Sequence, residues 1–227
     1  MPPPSPRNAP APWAELVGKN LAISLPSANV RQLDDPDAVL ARIRESYPTI
    51  AWRRNDDGAS APISTHDPAG NVFGVIPAGR DGTPDAGKRD RVIDHVALRV
   101  LHPERVAKFY ADVFGLTPLE GAPEGNNIYL SDGHVTLVII PWDIYDFEGT
   151  GITARGMDHI GFRVESIAAL KDDLSRATEK NYRFQPATST LGRGKEGAGR
   201  LAMFKRTCPL GCHHLSDSDG LLIDVTE

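Results

Sequence analysis

Residues 92–100, VIDHVALRV, return later in the chain as residues 156–164, GMDHIGFRV, which sets His95 and His159 at equivalent places of a repeat. In each copy the residues alternate as they do in a strand. His95, Ala97 and Arg99 take one face, and Val96, Leu98 and Val100 take the other. An apolar back, with a histidine and a small residue in front, fits a strand that packs on a helix behind it and lines a cavity before it. A repeat of this kind decides the fold before any single element does.

After the first copy, His102 and Pro103 open a helix whose Val106, Phe109, Tyr110, Val113 and Phe114 make an apolar stripe, and Gly115 closes it. Residues 127–130 and 135–140 read as strands joined by the turn Ser131-Asp132-Gly133, and residues 142–155 are a longer excursion containing Tyr145 and Phe147. After the second copy comes a helix over residues 165–178 with Ile167, Leu170 and Leu174 inward. Residues 191–199, LGRGKEGAG, read as a mobile loop and a flap over a site. A final hairpin has strands at 213–215 and 221–226 and a turn at 217–220. Leu221, Ile223 and Val225 share the apolar side of its last strand, so Asp224 faces the cavity.

Towards the N-terminus the pattern weakens. Residues 19–25, KNLAISL, overlay the two histidine strands with Asn20 in the histidine place and Ala22 in the small-residue place. Asp35 and Pro36 signal a helix start, with Val39, Leu40 and Ile43 on one face up to Tyr47 and Pro48. Strands follow at 49–53 and, in two pieces, at 63–76 around the turn at 67–70. The expected organisation is a disordered proline-rich arm (1–18), a degenerate module of strand, helix and three strands (19–77), a polar glycine-rich linker (78–91) and a pair of such modules (92–227).

The chain has 227 residues, 40% of them hydrophobic and 24% charged, as in a globular protein with a sizeable core. A net charge of −5 without any basic block argues against nucleic acid as a partner. No apolar run approaches the roughly 20 residues that span a bilayer, and the start lacks the pattern of a signal peptide, so a cytoplasmic protein with no membrane partner is expected. Two cysteines, Cys208 and Cys212, do not make a disulfide framework.

Modules that open with a DH-x-A/G strand and close with a D-x-x-G turn before an acidic strand residue resemble the vicinal oxygen chelate superfamily. That superfamily includes glyoxalase I, methylmalonyl-CoA epimerase, bleomycin-resistance proteins and extradiol dioxygenases. The resemblance covers residues 92–226 closely and 19–77 as a decayed copy. It implies an α+β fold in which two βαβββ modules pair into a curved eight-stranded sheet around a metal site, with one degenerate module before them. It also implies His95, His159 and Asp224 as metal ligands. Aligning Gly133 with Gly220 puts Leu137 in the fourth ligand place, and aligning Gly70 with Gly220 puts Gly74 in the corresponding place of the first module, which has no site.

Two histidines and one carboxylate suit one Fe(II) per chain, with Mn(II), Zn(II) or Ni(II) as alternatives. The ligand order is that of the extradiol dioxygenases, whereas glyoxalase I and the epimerase generally use four protein ligands. Three departures stand out: Asp224 takes the place of a Glu, His214 takes the place of a Tyr, and Lys205 to Thr207 hold no histidine where the dioxygenases carry one. By strand parity His214 shares the side of Asp224 and is the candidate acid–base group. Tyr145 stands where the dioxygenases carry a further histidine and is the second catalytic candidate, a hydrophobic plug being its plainer reading. For Arg99 and Arg163, pairing with internal carboxylates is preferred to binding an anionic substrate. Cys208 to His214 read as a zinc knuckle has the wrong spacing.

Three functions follow from the resemblance. Extradiol-type ring cleavage of a small aromatic substrate is preferred, glyoxalase- or epimerase-like isomerase or lyase chemistry is the alternative, and a non-catalytic binding protein of the bleomycin-resistance kind is the third. The unpaired first module leaves a sheet edge and half a cavity, so a homodimer through that module is expected.

Overall fold

The computed structural model describes residues 35–55, 61–75, 91–150, 156–180, 194–216 and 222–227. The expected arm, the Asn20 strand, nearly all of the linker and the turn at 217–220 lie outside the described residues. Helix α1 (Pro36–Ser46) starts where the sequence signals it: the Asp35 carboxylate caps it by accepting from the Asp37 N–H, and Pro36 fills its first turn. Strands β1 (Trp52–Arg54), β2 (Ile63–His66) and β3 (Val72–Val75) follow as an antiparallel sheet. The described part of this N-terminal unit shares its core with the next unit: its Val39, Leu40, Ile43, Ile63 and Val75 pack with Phe109 and Val113 there. Each such buried side chain contributes about 1.5–3 kcal/mol, so the first module is docked through its apolar face.

The second unit runs β4 (Val92–Val100), α2 (Pro103–Phe114), β5 (Thr117–Pro118), β6 (Ile128–Ser131) and β7 (Thr136–Pro141), with Gly115 ending α2 in the left-handed conformation at φ 70°. Helix α3 (Ile144–Thr150) then occupies part of the stretch read as an excursion. The third unit runs β8 (Gly156–Arg163), α4 (Ile167–Lys180), α5 (Gly194–Thr207), β9 (His213–Ser216) and β10 (Leu222–Thr226). The two units join in one sheet of order β5-β6-β7-β4-β8-β10-β9. The histidine strands β4 and β8 pair antiparallel at its centre, and each is flanked by the parallel last strand of its own unit, β7 or β10. Among the described residues this sheet has seven strands where eight are expected. The segment between α4 and α5, residues 181–193, lies outside the described residues.

Two expectations need correction. Most of the presumed flap at 191–199 is helical, because α5 begins at Gly194. Its glycines disfavour a helix, but burial of Met203 and Phe204 at 5% and 1% exposure outweighs that preference. The second concerns the fourth ligand place. Asp224 pairs across the ladder with Gly161, and the residue that pairs with the equivalent Ala97 is Val138, not Leu137. The two hairpins set their glycine differently against the last ladder pair, Ser216 with Leu222 and Ser131 with Thr136, so aligning the glycines shifts the register by one. The chemical conclusion is unchanged, since Val138 is as apolar as Leu137.

The sheet has two differently covered faces. Behind it, Leu98, Val100, Leu137 and Ile139 pack with α2 residues Val106 and Ala107, and Val164 and Val225 pack with α4 residues Ile167, Leu170 and Leu174. In front, Ala97, Tyr129, Val138 and Ile140 pack with Phe204 and Cys208. No helix among the described residues is long and apolar enough to cross a membrane.

Candidate metal centre

His95 on β4 and His159 on β8 turn their Nε2 atoms toward each other at 3.0 Å, with the rings nearly perpendicular at 81°. Asp224 Oδ2 on β10 lies 3.5 Å from His95 Nε2. Ligand atoms of all three residues fall within 4.8 Å of one another, and the side chains are 1%, 1% and 0% exposed. The structure thus brings together the three residues expected as ligands from the sequence.

Small residues make the room. Across the central pair, His95 faces Gly161 and Ala97 faces His159, so the small residue two places after each histidine serves the other strand's ring. A Cβ on Gly161 would land on the His95 imidazole. Gly211, in the segment before β9, does the same for Asp224, whose carboxylate occupies the space a Cβ would take.

Each histidine is oriented by the aspartate before it. The β4–β8 register skips Asp94 on one strand and Asp158 on the other, which makes each a bulge residue. Strict alternation would point these aspartates away from the histidines. The bulges turn them to the same side, with Asp94 Oδ2 3.0 Å from His95 Nδ1 and Asp158 Oδ1 2.8 Å from His159 Nδ1. With Nδ1–H donated to a carboxylate, each ring presents its Nε2 lone pair inward.

The electrostatics follow from burial and these contacts. Burial disfavours the His95 imidazolium, but the neighbouring carboxylates of Asp224 and Asp94 outweigh it and hold its pKa above the ordinary value. Burial pulls His159 the other way, below the ordinary value, in spite of Asp158. Burial opposes ionisation of Asp224, yet His214 and His95 keep its carboxyl below the usual range. Asp224 Oδ1 is held by His214 Nδ1 at 2.9 Å and by the Val225 N–H at 3.1 Å. Its Oδ2 is buried without a hydrogen-bond partner.

Two imidazole nitrogens aimed at each other beside a buried carboxylate oxygen without a hydrogen-bond partner form an arrangement that a cation between them would satisfy. Asp94 and Asp158 bond the two histidines, and among the described residues Arg99 is the only buried guanidinium, shared between Asp158 and Asp146. The residues present therefore fit a divalent metal with imidazole and carboxylate ligands.

The remaining candidates fall differently. Parity holds for His214, which pairs with Asp224 in the β9–β10 ladder, but its Nδ1 is spent on that carboxylate. Tyr145 is corrected: it is 76% exposed on α3, because the helix turns its neighbour Asp146 inward instead. Arg99 is buried and bonds Asp158 at 2.7 Å and Asp146 at 3.1 Å, the internal pairing preferred from the sequence. The Arg163 side chain is 54% exposed, 3.7 Å from Asp94. Sequence reasoning missed Phe204, whose ring centroid lies 4.9 Å from that of His159 and 4.8 Å from that of His214. It also missed Cys208, whose Sγ is 3.4 Å from His159 Nδ1 and whose thiol burial pushes far up in pKa. The one available signal was the DH doublet, which marks both orienting aspartates.

Comparison with known proteins gives one family match, to the model described as Glyoxalase/Bleomycin resistance protein/Dioxygenase superfamily, over residues 92–225. Among solved structures, a xylose isomerase-like TIM barrel/4-hydroxyphenylpyruvate dioxygenase fusion protein is 17% identical, with a TM-score of 0.48, over 85% of this chain and 36% of that one. The 2,3-dioxygenase LapB from Pseudomonas sp. KL28 is 14% identical at a TM-score of 0.46, over 84% of this chain and 67% of that one. Methylmalonyl-CoA epimerase from Mycobacterium tuberculosis is 15% identical at a TM-score of 0.37, over 59% and 85%. Among curated proteins, a TRPM8 channel-associated factor homolog of Xenopus laevis is 51% identical over 35 residues, which are 15% of this chain and 4% of that protein.

Proposed function

The chain belongs to the Glyoxalase/Bleomycin resistance protein/Dioxygenase superfamily, the family model matching residues 92–225, and from that premise we propose that it is a divalent-metal enzyme acting on neighbouring oxygens of a small aromatic substrate. His95, His159 and Asp224 hold the ion, and extradiol-type ring cleavage with Fe(II) is the preferred reaction. The observation that carries this reading is the ligand count. Val138 stands where a fourth ligand would come from the second unit, so three protein ligands remain, the set suited to non-haem Fe(II). When bound, such a metal supplies Lewis-acid and redox chemistry to oxygens chelated at its open positions.

The chain's own residues have defined tasks. Asp94 and Asp158 fix the tautomer and tilt of the two imidazoles, and His214 with the Val225 N–H fixes Asp224 so that only Oδ2 points at the ion. Ala97, Tyr129, Val138 and Ile140 give the substrate an apolar wall, and Phe204 keeps water away from the ligands. Isomerase or lyase chemistry by proton transfer is the second reading. It is favoured by His214, an imidazole lying beside a ligand carboxylate. Oxygen uptake by iron-loaded protein with a panel of catechols separates the two: uptake equimolar with ring-opened product supports cleavage, and substrate conversion without uptake supports proton transfer.

A homodimer through the first module and a cytoplasmic location are part of the same proposal. A sedimentation-equilibrium mass of one chain at micromolar concentration counts against the dimer.

A further inference from the structure

Helix α5 belongs to neither pair of sheet strands, yet it closes the front of the site. Phe204 from this helix is 1% exposed, against His159 and His214, and Cys208 follows directly after the helix beside His159. A substrate reaching the triad must therefore displace part of α5. The helix is intrinsically weak at its start, where Gly194, Gly197 and Gly199 each cost about 1 kcal/mol relative to Ala. Its seating rests on contacts at its middle and at its last residue. Arg200 Nε donates to the Thr150 carbonyl at 2.6 Å, Asn127 Nδ2 donates to the Thr207 carbonyl at 2.7 Å, and Arg99 Nη2 donates to Thr207 Oγ1 at 3.3 Å.

Arg99 is the shared member. Its Nε goes to Asp158 Oδ2, whose other oxygen holds His159 Nδ1, while its Nη1 goes to Asp146 on α3. One buried guanidinium thus touches both the residue that aligns a ligand histidine and the last residue of the covering helix. We propose that Arg99 is a positioning residue coupling the seating of α5 to the alignment of His159, so that α5 is a cover that opens to admit substrate and is held shut more firmly once the metal site is ordered. The metal half of this proposal rests on the reading of the site above, and the cover half does not.

Cys208 supplies a readout that needs no activity. It is 2% exposed beneath the end of α5, whereas Cys212 is exposed. In a Cys212→Ser background, alkylation of Cys208 by iodoacetamide reports opening of the cover. Thr207→Val, which keeps the shape but removes the hydroxyl's contacts with Arg99, the Met203 carbonyl and Cys208 Sγ, is expected to speed this alkylation at least about tenfold. Mn(II) is expected to slow it several-fold in the Thr207 parent and to lose most of that effect in the valine variant, since coupling is reciprocal. Amide exchange of β4 and β7 monitors general loosening, and Asp146→Asn, which frees Arg99 from the α3 side, is a second variant with the same expected direction. Both variants alkylated at the parent rate, with β4 and β7 still protected, would overturn the cover. Mn(II) that binds by electron paramagnetic resonance yet leaves alkylation unchanged overturns the coupling. Absence of Mn(II) binding counts against the metal reading itself, while Thr207→Val still decides the cover.

Discussion

His95 Nε2 stands 3.0 Å from His159 Nε2, while the Nδ1 atom of each ring lies within 3.0 Å of the aspartate that precedes it. Both imidazoles therefore aim a lone pair at the same point, beside the unpartnered Oδ2 of Asp224. The site is organised from outside inward, the two histidines being oriented by aspartates outside the triad.

Gly161→Ala tests the fit at the centre. The added Cβ falls on the His95 ring, so we expect metal affinity to drop on the order of 10- to 100-fold, as when an orienting partner is lost. Overpacking also costs about 1–3 kcal/mol of stability. Calorimetric titration with the metal and thermal unfolding of the metal-free protein measure the two effects.

The two orienting aspartates predict a contrast. Asp94→Asn and Asp158→Asn are both expected to weaken metal binding by about 10- to 100-fold. Only Asp158→Asn also removes a partner of the buried Arg99, and breaking a buried pair costs on the order of 3 kcal/mol. The Asp94 side chain is 22% exposed, and its loss is expected to cost less than about 1 kcal/mol. Equal destabilisation by the two variants, in denaturant titrations, contradicts the assignment.

The pH dependence follows from opposite shifts in the histidine pair. His95 is raised above, and His159 lowered below, the ordinary value, so His95 is the member of the pair that keeps its extra proton to higher pH, and metal uptake below its raised value is expected to release that proton. Because its folded-state pKa is raised, the stability His95 contributes is full below the ordinary value and lost as pH rises through the raised one. The gap in Tm between loaded and metal-free protein should accordingly widen as pH rises from about 6 to about 8. Titration in buffers of different ionisation enthalpy measures the proton, and a gap that narrows over that range contradicts the assignment.

Tyr145→Phe is expected to leave metal content and Tm unchanged, because the side chain is 76% exposed and lies outside the triad. A loss of metal in this variant, read by plasma mass spectrometry, would restore it to the site.

The repeat around His95 and His159 made the modules and the meeting of His95, His159 and Asp224 legible, because alternation and a shared register are local properties of a strand. What escaped depended on partners. The bulges at Asp94 and Asp158 exist only in the pairing of β4 with β8, so a single strand's alternation sends both aspartates to the wrong face. Val138 could not be told from Leu137 without the ladder that sets it beside Ala97. The glycines of residues 191–199 read as a loop, because the burial of Phe204 that holds α5 in place is a tertiary effect.

The central claim is that His95, His159 and Asp224 together hold one metal ion. Its most direct test is the metal content of anaerobically purified protein by plasma mass spectrometry, with wild type beside His159→Ala and Asp224→Ala. The account predicts about one divalent ion per chain in the wild type, iron if the ring-cleavage reading holds, and its loss from both variants. Wild-type protein without stoichiometric metal, or variants that keep it, would contradict the account and leave a metal-free binding protein as the better description.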